Sequence, residues 1–176
     1  MSVDGFTDGQ LFLLGASRPN ATCSASDDGS GIATTTGPVE QDELTANGVG
    51  TVSVTCSATD NAGNTASATS TYRIGYGFGG FLSPASGVVT GHAGRTFPLK
   101  WQLTDANGAF VSALSAVASV EYRSASSGPT ELSGLRYDPQ ANQYVLTWKS
   151  PRAAGDYVVT LVLDSGQRFD ASFRLT

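Results

Sequence analysis

Apolar and polar residues alternate with a period of two along several short stretches of this chain. Phe97, Leu99, Trp101 and Leu103 fall on one side, with Pro98, Lys100 and Gln102 on the other. Tyr144, Leu146 and Trp148 form a second such row. Tyr157, Val159, Leu161 and Leu163 form a third, and Phe169, Ala171, Phe173 and Leu175 a fourth. The last two rows are joined through Asp164-Ser165-Gly166-Gln167, which reads as a hairpin turn. Alternation of this kind predicts strands with one face in a core and one in water.

The first half of the chain repeats the pattern with smaller residues. Ala21, Cys23 and Ala25 alternate with Thr22 and Ser24, and Val52, Val54, Cys56 and Ala58 with Ser53, Thr55 and Ser57. Residues 11–14 and 69–74 are further predicted strands, while 40–47 is polar and reads as a loop or edge. Residues 112–121 fit a short helical turn or a strand equally well. Between the two halves lies Gly75-Tyr76-Gly77-Phe78-Gly79-Gly80-Phe81, ending near Pro84, which reads as a domain boundary. The expected organisation is one domain over 1–75, a linker over 76–84 and a second domain over 85–176.

Composition sharpens this picture. Charged residues are 14% of the chain, well below the usual quarter, and 21 glycines with many Ser and Thr favour short strands and tight turns over long helices. The fold class expected is all-β: two tandem immunoglobulin-like β-sandwiches joined by a short Gly/aromatic linker. A net charge of −5, with Lys100 and Lys149 the only lysines, argues against nucleic acid or an anionic membrane surface as partner. No apolar run approaches the roughly 18 residues of a spanning helix, and Met1-Ser2 opens onto no signal peptide, so a segment without its targeting sequence is expected. Cys23 and Cys56 stand 33 residues apart, a spacing that fits neither a redox pair nor zinc. A Cys23–Cys56 disulfide within one small sandwich is the expectation, and with it a secreted, extracellular location.

Two stretches carry a family resemblance. Ala21-Thr22-Cys23-Ser24-Ala25-Ser26-Asp27 with Gly29-Ser30-Gly31-Ile32, and Val54 to Asn64 (VTCSATDNAGN), make the first module resemble the bacterial Ig-like and hyalin-repeat type domains of secreted proteins. Pro98-Leu99-Lys100-Trp101, led in by Gly79-Gly80-Phe81-Leu82 and followed by Leu135-Arg136-Tyr137-Asp138 and Gln143-Tyr144, makes the second similar to the PxKF-type domain found at the C-termini of secreted bacterial proteins. The resemblance implies an extracellular accessory region with no catalytic residues, attached to other domains of a parent chain. Domains of the second type often carry an extra cysteine pair; here Asp156 stands where one member is expected, so this module lacks that staple and relies on its aromatic core.

Candidate chemistry is sparse. The lone His92 sits in Gly91-His92-Ala93-Gly94 with no G-x-S-x-G elbow elsewhere, so no Ser-His-Asp device is expected. None of the fifteen acidic residues forms a recognisable glycosidase pair. Gly75 to Gly80 matches G-x-G-x-x-G, but Phe81-Leu82-Ser83-Pro84 cannot readily begin the helix a dinucleotide needs. Asn20-Ala21-Thr22 is a glycosylation sequon by pattern alone. Lys100 and Lys149 lie opposite aromatic rows, facing outward, which argues against a buried isopeptide crosslink.

If the cysteines join two sheets, Asp27 and Asp60 each lie four residues past one of them and emerge at the same end, about 13 Å beyond the bridge. Asp28, Asn61 and Asn64 accompany them. Such oxygens are candidates for Ca²⁺, the one cofactor under consideration; turn-bracing Asx side chains are the competing and favoured reading. Tyr76, Phe78 and Phe81 are candidate ligand-contact aromatics, able to stack on a sugar, or else packing residues at the joint. Trp101 and Trp148 fall on apolar rows and are expected in the core. The function expected is a non-catalytic structural or interaction module (spacer, presentation or adhesion tail). The alternative is an accessory carbohydrate-binding module of a secreted hydrolase, with polysaccharide or a cell-surface component as partner.

Overall fold

The computed structural model describes every residue, Met1–Thr176. The chain divides into two compact units, Met1–Gly75 and Tyr76–Thr176. Both are built from strands; a 3-10 turn at Leu114–Ala116 is the one helical element. No helix is long and apolar enough to cross a membrane.

The first unit has six strands: β1 (Ser2–Asp4), β2 (Gln10–Leu13), β3 (Thr22–Ser24), β4 (Ile32–Leu44), β5 (Gly50–Asp60) and β6 (Thr65–Gly75). β1 and β3 make one small sheet; the other runs β2-β6-β5-β4, with β2 parallel to β6 and the other neighbours antiparallel. Val52, Val54, Cys56 and Ala58 alternate inward along β5, as their spacing predicts. Tyr72 anchors the core, with its ring edge-on to Phe6 at 5.2 Å and Phe12 at 5.4 Å. Two strands of three residues are a thin second layer, so covalent help is needed there. The disulfide supplies it: Cys23 on β3 joins Cys56 on β5 across the two sheets, Cα to Cα 5.7 Å. The polar stretch 40–47 contributes to β4, an edge strand that is solvent-exposed along almost its whole length. Its side chains show no alternation because neither face is buried; the ladder to β5 alone fixes it as a strand.

The second unit holds β7 (Gly77–Phe81), β8 (Val89–Gly91), β9 (Thr96–Thr104), β10 (Val117–Ser124), β11 (Ser127–Glu131), β12 (Arg136–Asp138), β13 (Gln143–Lys149), β14 (Gly155–Leu163) and β15 (Arg168–Leu175). One sheet runs β12-β13-β9-β7 and the other β11-β10-β14-β15-β8. The chain therefore begins on the edge of one sheet and crosses to the edge of the other before β9. This is an immunoglobulin-like sandwich. Its core is aromatic: Trp101 stacks on Tyr144 at 5.6 Å, and Trp148 meets Phe173 edge-on at 4.7 Å. Both tryptophans are fully buried. The phenol of Tyr157, near the start of β14, donates to the Ala153 carbonyl at 3.0 Å and closes the corner leading into that strand. Asp156 lies on the outer face and pairs with Arg174 at 3.0 Å. The inward positions of this strand are Tyr157, Val159 and Leu161.

Residues 76–84 are not a free linker. Gly77–Phe81 forms β7, antiparallel to β9, with Phe78 opposite Leu103 and Phe81 opposite Trp101. Three glycines and a bulge between Phe78 and Phe81 disguised the strand, because they leave no period-two row of side chains to read. The ambiguous stretch 112–121 is both things in turn, a 3-10 turn and then the start of β10.

Candidate functional site

Asp27 and Asp60 leave β3 and β5 on the same side of the disulfide, and the structure brings them together. With Asn64 they line a pocket of about 120 Å³ at one end of the first unit. The Asp27 carboxylate accepts the Gly31 N–H at 2.7 Å and the Ser30 hydroxyl at 3.3 Å through Oδ2. Asp60 Oδ1 accepts the N–H groups of Ala62 (2.9 Å) and Asn64 (2.8 Å), and Oδ2 accepts from Asn64 Nδ2 at 2.7 Å. Asn61 Nδ2 donates to the carbonyls of Ser30 (2.8 Å) and Gly31 (3.2 Å), tying one turn to the other. Asp28 is exposed in the adjoining bend.

These bonds hold the Asp60 carboxyl below the usual carboxylate range, the Asn64 side-chain amide contributing most and its backbone N–H next. Calcium asks for six to eight oxygens. Here two carboxylates contribute, and donors from the turns already face three of their four oxygens. No group of three or more His, Cys, Asp or Glu side chains gathers in a metal-binding arrangement. What the arrangement does chemically is brace the β5–β6 turn and the bend after β3.

The three candidate aromatics are placed by β7. Tyr76 is 1% exposed and Phe81 8%, so neither offers a ring face to a sugar. β7 is bulged between Phe78 and Phe81, and Phe81 packs edge-on to Trp101, with centroids 6.0 Å apart. Tyr76 is pinned at its backbone by Gln167. Phe78 is half-buried and stacked on Phe169 at 3.9 Å, with Phe81 edge-on to it at 5.4 Å. Tyr76 and Phe81 thus pack within the second sandwich, the other of the two expectations for these rings. His92 is exposed beside the Thr176 hydroxyl, 3.4 Å away.

Phe78 and Phe81 instead form part of a feature the sequence did not point to. A groove of about 630 Å³ runs within the second unit between β7, the edge of one sheet, and β15 in the other. Phe78, Phe81 and Phe169 make its apolar wall, Val88 its rim, and Arg168 and Asp170 its polar side. Val88 is 66% exposed. The available signal was the Gly79-Gly80 pair, which leaves the space unfilled: a Cβ at either glycine would meet nothing within 4 Å.

No protein-family model matches the sequence, and no curated protein matches it. Among solved structures the chain is similar to the Bacteroides ovatus mixed-linkage glucan utilization locus protein SGBP-B in complex with a mixed-linkage heptasaccharide. The identity is 15%, over 76% of this chain and 33% of that one, with a TM-score of 0.30. Domains 4 and 5 of the S-layer protein SbsC are 16% identical over 73% of this chain and 66% of theirs, TM-score 0.35. The titin domains z1z2 in complex with telethonin are 16% identical over 98% and 94%, TM-score 0.31. The chain thus spans a third of the length of the glucan-locus protein and 66% of the S-layer fragment. Scores this low transfer no ligand or partner from those proteins to this chain.

Proposed function

We propose that the chain is a non-catalytic structural and interaction module of a secreted protein, two immunoglobulin-like sandwiches that space or present the domains beside them. The observation that supports this most is the Cys23–Cys56 bridge between the sheets of the first unit. That unit opposes a four-stranded sheet with only two strands of three residues, so its integrity depends on an oxidised bond and hence on an oxidising compartment. The acidic residues with depressed pKa values are engaged structurally: Asp8 with Thr71 on β6, Asp42 with Arg18 and Asp60 with the amides of its own turn. A sandwich braced in this way offers its loops and edges for contact.

The test is alkylation of the protein in its native host, with thiols trapped at lysis. Cys23 and Cys56 should be blocked to alkylation until reductant is added, and the protein should turn over no ester, peptide or glycoside substrate. Two alkylated cysteines without reductant would overturn the secreted assignment, and turnover lost on a single side-chain change would overturn the non-catalytic one.

A further inference from the structure

β15 is paired with β14 along its whole length, Arg168 opposite Val162 and Leu175 opposite Gly155, without a bulge. Its other edge is covered only at Phe173–Leu175, by the three residues of β8. Two bonds fix which backbone groups face that second edge. Thr176 donates its N–H to the Gly91 carbonyl, and its own carbonyl accepts the Ala93 N–H, both at 2.9 Å. With a period of two, the backbones of Ser172, Asp170 and Arg168 aim the same way. The N–H and C=O of Arg168 and Asp170, with the N–H of Ser172, therefore face the groove rather than a strand.

Open sheet edges are ordinarily blunted. In this protein β4 carries two bulges, β11 carries Pro129, β7 is bulged between Phe78 and Phe81, and β12 is three residues long. The stretch Arg168–Ser172 has none of these devices. Of its outward side chains, Arg168 pairs with Glu121 at 3.0 Å and Asp170 accepts the Thr160 hydroxyl at 2.6 Å, so both are held against the sheet. Beside it stands the apolar wall of Phe78, Phe81 and Phe169. The seat continues the line along which β8 already pairs with β15.

We propose that the open edge of β15 at Arg168–Ser172 takes up an extended segment of another polypeptide as an added strand. The segment's backbone pairs with Arg168, Asp170 and Ser172, and its alternate apolar side chains enter the groove against Phe78 and Phe169. The occupant's chemistry follows from the seat: about five residues, extended, apolar at every second position and polar between. This interaction surface goes beyond the spacer role, which stands whether or not the edge is occupied.

The probe is a nine-residue capped peptide alternating valine with threonine and lysine, added to the full chain and followed by amide exchange in NMR. The amides of Arg168, Asp170 and Ser172 should slow by about tenfold at saturation, as they do when a ladder closes. Ser172→Pro removes a groove-facing N–H without touching the β14 ladder and should abolish the protection. Peptides N-methylated on the residues that face β15 should fail to protect, while those methylated on the residues between should still do so; this pair needs no change in the protein. A same-composition peptide with its valines in one block should not protect these amides. Unaltered exchange at millimolar peptide, or equal protection by both methylated forms, would overturn the proposal. So would a concentration-dependent dimer of the chain alone that buries this edge, since a second copy would then be the occupant.

Discussion

The side-chain amide of Gln167 makes both hydrogen bonds of a strand partner to Tyr76. Its Oε1 accepts the Tyr76 N–H at 2.7 Å, and its Nε2 donates to the Tyr76 carbonyl at 2.9 Å. Residues 91 positions apart are joined in this way, and the start of the second sandwich is held where a linker was expected. Gln167→Ala should leave two buried backbone groups unsatisfied and destabilise the second unit by about 1–3 kcal/mol. Urea unfolding followed by tryptophan emission checks this, and limited proteolysis should show new cleavage within 76–84.

Gly37 lies against the disulfide in a backbone conformation that favours glycine, with φ of +110°. A Cβ there would stand 2.8 Å from the Thr55 carbonyl oxygen and 3.2 Å from Cys23 Sγ. Gly37→Ala should therefore cost about 1–3 kcal/mol through overpacking and backbone strain. The urea midpoint of the oxidised protein, followed by signals of the first unit, measures it. A stability equal to wild type would show that the bridge is not packed this way.

Acid should act on the first unit through three carboxylates whose pKa values lie below the ordinary range. Asp8 is lowered chiefly by the Thr71 N–H, Asp42 by the Arg18 guanidinium and Asp60 by Asn64. A folded pKa below the unfolded one gives stability that is present above the unfolded value of about 3.9 and is lost as pH falls through the folded values. Asp8 and Asp42 are exposed and Asp60 is half-buried at a strand end, so the effect is a gradual decline below about pH 4. Carboxyl NMR titration should place the three below the ordinary aspartate range, and urea midpoints for the first unit should fall over the same interval.

Calcium should not stabilise the chain. Two carboxylates fall well short of the six to eight oxygens the ion asks for, and three of their four oxygens already serve turn donors on Ser30, Gly31, Ala62 and Asn64. Melting curves in millimolar Ca²⁺ and in chelator should coincide. Asp60→Ala should lower the midpoint of the first unit equally in both. A midpoint raised by Ca²⁺ alone would reveal bound ion by mass action.

The strong rows of the second unit were legible because each inward position is large: Leu99, Trp101, Leu146, Trp148, Val159 and Leu161 are all buried where alternation placed them. The Asp27–Asp60 juxtaposition was legible as well, from two equal offsets past two bridged cysteines. β4 and β7 were not. β4 is exposed on both faces and β7 is spaced by glycines, so neither writes a hydrophobic period into the sequence; backbone pairing to β5 and β9 defines them. The groove beside β15 was hidden for a related reason. It exists because β8 stops at three residues, and the length of a partner strand is a tertiary fact.

Both tryptophans belong to the second unit and both half-cystines to the first, so one experiment separates the two. Urea unfolding of the full chain, with and without reductant, should show a tryptophan-emission midpoint that does not move. Part of the far-UV circular dichroism change should meanwhile shift to lower urea as the first unit loses its bridge. A tryptophan midpoint that falls together with the dichroism on reduction, or a dichroism curve indifferent to reductant, would contradict two separately folding sandwiches of which only the first is held by its disulfide.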